Sequence, residues 1–166
     1  MKGQLTGMCG VYFVAAELSH IGFIASPTSR SAIGADILVT DQACQRAFSV
    51  QVKANAAAVG FWLVGERTPV SPTHIYVFVN LKSRETGCQR EYFIVPSRVV
   101  AERKVYSKHP KSEFYSIYRK HILEHRDLWS VFGDPHVEET LASTQHQLPY
   151  NTLGPTASAP GLSTST

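Results

Sequence analysis

Between Asp36 and Pro96 the chain runs through five stretches rich in β-branched and aromatic residues, "DILVT", "AFSVQVK", "VGFWLVG", "THIYVFVNL" and "EYFIVP". Each is closed off by Gly, Pro, Asn or charged residues. Such side chains suit a pleated, half-buried surface, and the breakers between them impose turns. The pattern predicts a mostly antiparallel sheet.

Helical spacing flanks this block. From Gln4 to Ile21 the apolar residues Met8, Val11, Val14, Ala15, Leu18 and Ile21 recur at intervals of three and four, which predicts an amphipathic helix stopped by Gly22. "FIASP" follows as a short strand and "TSRSAIG" as a polar turn. Beyond the strands, Ser97 is placed to cap a helix through "RVVAERKVY", and "KSEFYSIYRKHILEHRDLWSVF" reads as one or two further helices. The fold class is α/β or α+β, with helices on both sides of the strands. Trp62, Trp129 and the aromatics of "FYSIY" are read as core.

Length and composition limit the organisation. The 166 residues suffice for one domain with a real core. That domain is placed at residues 1–138, and the Ser-, Thr-, Pro- and Gly-rich stretch 139–166 is expected to be a disordered tail. No apolar run approaches the roughly 18 residues of a membrane span, so a soluble protein without a membrane partner is expected. "MCGVYFVAA" resembles a short signal core but has one basic residue before it and merges with the predicted helix. Cys9, Cys44 and Cys88 are odd in number, widely spaced and without a CxxC, which favours reduced thiols in the cytoplasm. The net charge is only +3, yet residues 82–126 hold 11 of the 16 basic residues against five acids. Such a face suits a polyanion, and equally a solvated surface without a partner.

The oddity in the strand block is "SVQVKAN". Alternation sets Gln51 and Lys53 on one face and Val50 and Val52 on the other. Asp36 opens the preceding strand, and pairing of the two as a hairpin brings it toward Lys53. A carboxylate, the Gln51 amide oxygen, the Val52 backbone carbonyl and an ammonium would then converge at a sheet edge. Phosphodiester hydrolysis uses such a set: oxygen ligands for a divalent ion that activates water, and a cation for the phosphate.

Here the chain resembles the PD-(D/E)XK nuclease superfamily, and within it the small archaeal Holliday junction resolvases. The matching pattern runs from "GVYFVAAELSHIGF" through "SPTSRSAIGADILV" to "SVQVK", in the order helix, Gly-aromatic turn, strand, Asp, strand, (E/D/Q)-x-K. The resemblance implies a central mixed sheet flanked by helices, as in restriction endonucleases. It implies metal-dependent cleavage of DNA, possibly branched, by a homodimer. Asp36, Gln51 and Lys53 fall on the catalytic positions. Asp36, Gln51 and the Val52 carbonyl would hold Mg²⁺ or Mn²⁺, and Ser26, Thr28, Ser29 and Arg30 lie where related proteins contact DNA phosphate.

Two departures stand out. The helix acid of the pattern, eleven residues before the turn glycine, is Val11 here, and the strand acid is Gln51. Glu17 lies about 120° around the helix from Val11 and replaces the missing group only if the helix is rotated or shifted. A catalytically inactive DNA-binding or protein-interaction module is therefore the alternative. A more distant one is a zinc peptidase using "HILEH", with His121 and His125 as ligands and Glu124 as base, for which no third ligand is evident.

Overall fold

An 18-residue helix, α1 (Gly3–His20), opens the computed structural model, which describes residues 3–29, 34–82, 90–109 and 112–135. Gly22 ends it as expected: at φ 97° it takes a left-handed conformation open to glycine. The Gly22 N–H donates to the Ser19 carbonyl and the Phe23 N–H to that of Leu18, both within 3.1 Å. This is a Schellman closure, and Phe23 packs into the same core as Leu18.

Five strands form the main sheet, in the order β1-β2-β3-β5-β6: β1 (Ile24–Pro27), β2 (Ile37–Thr40), β3 (Ala47–Asn55), β5 (His74–Asn80) and β6 (Glu91–Pro96). β3 and β5 run parallel and the other three pairings are antiparallel, so the sheet is mixed. β2 and β3 pair as the predicted hairpin, Ile37 opposite Val50. The run "VGFWLVG" does not join this sheet. Its strand β4 (Phe61–Val64) leaves to form a second, three-stranded sheet with β8 (Ser112–Tyr118) and β7 (Val105–His109), in the order β4-β8-β7.

β5 is buried at every position because both of its faces are covered. Ile75, Val77 and Val79 join Val50 and Val52 of β3 and Val11, Val14 and Leu18 of α1 in one core. Tyr76 and Phe78 point the other way, to Trp62, Val64 and Ile117 of the second sheet. Gly10 allows α1 its close approach, since a Cβ there would lie 2.5 Å from the Ala54 Cβ. Trp62 anchors the opposite layer, its ring 5.4 Å from Phe78 and 5.5 Å from Phe93, with its indole N–H donating to the Val79 carbonyl.

The strand-rich centre matches the sequence reading, and the region after it does not. Helix α2 is short, Ser97–Arg103, and the expected helices through residues 104–106 and 112–118 are the strands β7 and β8. In "FYSIY", Phe114, Tyr115, Ile117 and Tyr118 satisfy a helical spacing as well as an alternating one. Pairing with β4, distant in the sequence, decides for strand. Ser97 is not a helix cap: Pro96 holds that position, and the Ser97 hydroxyl donates to the Ser71 carbonyl and accepts from the Ser71 N–H, pinning the loop before β5. "HILEH" lies in two single 3-10 turns, Arg119–His121 and Leu123–His125, rather than on an α-helix. The expected tail, 139–166, lies outside the described residues.

Candidate metal and phosphate site

β3 continues past β2. Its pairing with β2 ends at Val50, so Gln51 to Asn55 extend beyond the point where β2 begins. Asp36, the residue before β2, occupies the step this leaves. The site thus lies at the end of β2, where the β2 side of β3 is left open.

Main-chain geometry fixes Asp36. Its N–H donates to the Val50 carbonyl at 2.8 Å, and its own carbonyl accepts from the Thr28 N–H at 2.9 Å. Two residues along β3 the main chain of Val52 faces the same way. There the Val52 N–H donates to Asp36 Oδ2 at 2.7 Å, and the Gln51 side-chain amide donates to the same oxygen at 2.6 Å. Charge-assisted bonds of this length hold a carboxylate in one orientation. Asp36 Oδ1 and Gln51 Oε1 make no hydrogen bond to any described residue.

Asp36 and Val52 line a cleft of about 180 Å³ together with Gly7, Met8 and Val11 of α1 and Thr28. A water occupies about 30 Å³, so the cleft has room for a hydrated ion. Asp36 and Val52 bring a carboxylate and a main-chain carbonyl, hard oxygen donors of the kind Mg²⁺ and Mn²⁺ take, whereas Gln51 and Lys53 are not among the residues lining the cleft. The donor set fits a weakly held divalent ion that draws further ligands from water and phosphate.

Lys53 lies on the Gln51 face of β3, opposite Phe78 of β5. It is half-buried, and its ammonium makes no hydrogen bond or ion pair with a described residue. Val11 is 8% exposed and presents only methyl groups to the cleft. Glu17 does not line it: its carboxylate accepts from the Tyr92 hydroxyl at 3.2 Å. Burial, with the Glu17 charge beside it, pushes the Tyr92 hydroxyl up to about 12. Thr28 reaches the cleft, but its hydroxyl donates to the Ala35 carbonyl at 2.7 Å and so closes the turn before Asp36. Ser26 and Ser29 are exposed, and Arg30 lies outside the described residues.

Gly7 and Met8 are the cleft residues that the sequence reading passed over. Gly7 stands one helical turn before Val11, so helical spacing alone could have found it. The residues proposed for zinc are otherwise engaged. Glu124 pairs with Arg103, whose hydrogen bond holds its carboxyl below the usual range. Among the described residues no three His, Cys, Asp or Glu side chains gather as a metal site. Among the described residues, too, no helix is long and apolar enough to cross a membrane.

No family model matches the chain, and no curated protein matches it. Among solved structures it is similar to Hjc, a Holliday junction resolvase from the archaeal hyperthermophile Archaeoglobus fulgidus, at 10% identity and a TM-score of 0.44. The likeness covers 71% of this chain and 88% of that one.

Proposed function

We propose that the chain is a PD-(D/E)XK-type endonuclease acting on DNA, branched DNA included, as a cytoplasmic homodimer dependent on Mg²⁺ or Mn²⁺. The observation that carries this reading is a carboxylate, Asp36, anchored twice on one oxygen by the Val52 N–H and the Gln51 amide at the wall of a cleft, with Lys53 two residues past Gln51 on the same face of β3. An ammonium on that face of β3 suits a phosphate, which it would hold by charge-assisted hydrogen bonds.

Asp36, Gln51 and the Val52 carbonyl would hold the divalent ion, which supplies a lowered water pKa and compensation for charge on the phosphate. Lys53 stabilises the negative charge that develops on the phosphoryl oxygens as the P–O bond breaks. The Gln51 amide keeps Asp36 oriented, and the methyl groups of Val11 exclude water from one wall of the cleft.

The test is nicking of plasmid or synthetic four-way DNA with each metal. Lys53→Ala should lower the rate by at least about 100-fold with the thermal midpoint unchanged, and Val11→Glu should raise it. DNA bound but uncut with either metal, in both the parent and Val11→Glu, rejects the enzyme and leaves a non-catalytic DNA-binding module.

A further inference from the structure

The second sheet has two faces of different use. Trp62, Val64 and Ile117 face the main sheet and are buried. Alternation turns Phe61 and Leu63 of β4, Phe114 and Tyr118 of β8 and Val105 of β7 to the outside. Phe61 is 39% and Leu63 57% exposed. The Phe61 and Tyr118 rings lie side by side across the strands, centroids 6.1 Å apart, and the Lys120 ammonium stands 5.9 Å from the Tyr118 ring. Lys120 is exposed and in no ion pair with a described residue, and the His121 ring packs 5.6 Å from Tyr118. "FYSIY" is thus core only on its Tyr115–Ile117 side.

We infer that this outer face is a stacking platform for single-stranded nucleic acid, with bases on Phe61 and Tyr118 and phosphate on Lys120. Ser116, on the same face, is buried beneath its larger neighbours, so the face offers its partly exposed rings and one adjacent cation, a π-surface for bases and positive charge for the backbone of an unpaired strand. A second copy of the chain fits the patch less well. The longest of its three strands, β8, has seven residues, so the face measures roughly 10 by 24 Å, below the ~800 Å² per partner of a stable interface. Position also favours a strand of DNA: the Asn55 side chain donates to the Phe61 carbonyl at 2.9 Å, tying the platform to the end of β3, two residues beyond Lys53. The platform deepens the nuclease reading, on which it rests for the choice of DNA.

Anisotropy of a fluorescein-labelled oligo-dT 12-mer, without divalent metal and with the full chain, tests it. Phe61→Ala and Tyr118→Ala should each weaken binding by about 5- to 100-fold, and Tyr118→Phe should retain it. Lys120→Ala, an exposed change that leaves the fold intact, should reduce the slope of log affinity against log salt by about 0.7. Cleavage of four-way DNA is read on the same preparations, so that failure of cleavage and failure of the platform are told apart. No binding by the parent chain, or equal binding by folded Phe61→Ala and Lys120→Ala, overturns the proposal. So does self-association, measured by sedimentation, that Phe61→Ala abolishes while oligo-dT affinity stays unchanged.

Discussion

Asp36 has one oxygen tied by two donors and the other without a hydrogen bond to any described residue, which makes Gln51 one of the two groups that hold its orientation. A Gln51→Glu change removes a donor and puts a second carboxylate against the first, and like charges that close disfavour joint ionisation. Without metal this variant should lose about 1–2 kcal/mol of stability, from the lost hydrogen bond and the new repulsion. Millimolar Mn²⁺ should then raise its melting temperature by more than it raises that of the parent chain, since a ligand bound only by the folded state stabilises it. Differential scanning fluorimetry decides, and equal midpoints with and without Mn²⁺ in the variant would remove the case for metal here. The nearness of Asp36 and Gln51 could be read from the sequence because strand alternation and hairpin pairing are local rules. The direction of the Gln51 amide could not: which end of it meets Asp36 depends on where β2 stops along β3.

At the level of elements, a buried polar row joins the two sheets. Asn55, Asn80 and Glu91 stand in register across β3, β5 and β6. Glu91 is fully buried, accepts from the Asn80 amide at 3.0 Å and pairs with Arg119, just after β8, at 2.8 Å. Burial alone would raise its carboxyl, but the hydrogen bonds from Asn80 and Arg119 and the charges of Arg119 and Arg126 outweigh it and hold the value below the ordinary 4.5. A lowered folded-state value contributes stability above 4.5 that is lost as pH falls through the folded value. Urea denaturation should therefore show falling stability from pH 6 to pH 3, with a shallower fall in Glu91→Gln. At pH 7 that variant should be less stable by about 3–5 kcal/mol, because a buried ion pair loses its carboxylate. None of this row was legible in the sequence, nor was β8 as a strand. Both depend on partners far along the chain, whereas α1 and the strands before Pro96 follow from spacing and local breakers.

Over the whole molecule, the main sheet divides two cores, and each has its own tryptophan. Trp62 is packed in the layer between the sheets, and Trp129 against the α1 layer beside Tyr92 at 5.4 Å. Because β5 belongs to both layers, they should unfold together. Single-tryptophan variants Trp62→Phe and Trp129→Phe should give the same denaturant midpoint by fluorescence as by circular dichroism once each is referred to its own stability. Two separated midpoints within one variant would show the layers to be independent.

The departure of β4 from the main sheet also sets an order in time. Phe61 finds its partner only when Tyr118 is available, so β4 must wait for β8 before its ladder closes. Contacts so distant in sequence slow folding, and the chain emerging from the ribosome would expose Trp62 and its neighbours through most of synthesis. The hairpin that builds the cleft closes early, and the layer that covers its back closes last.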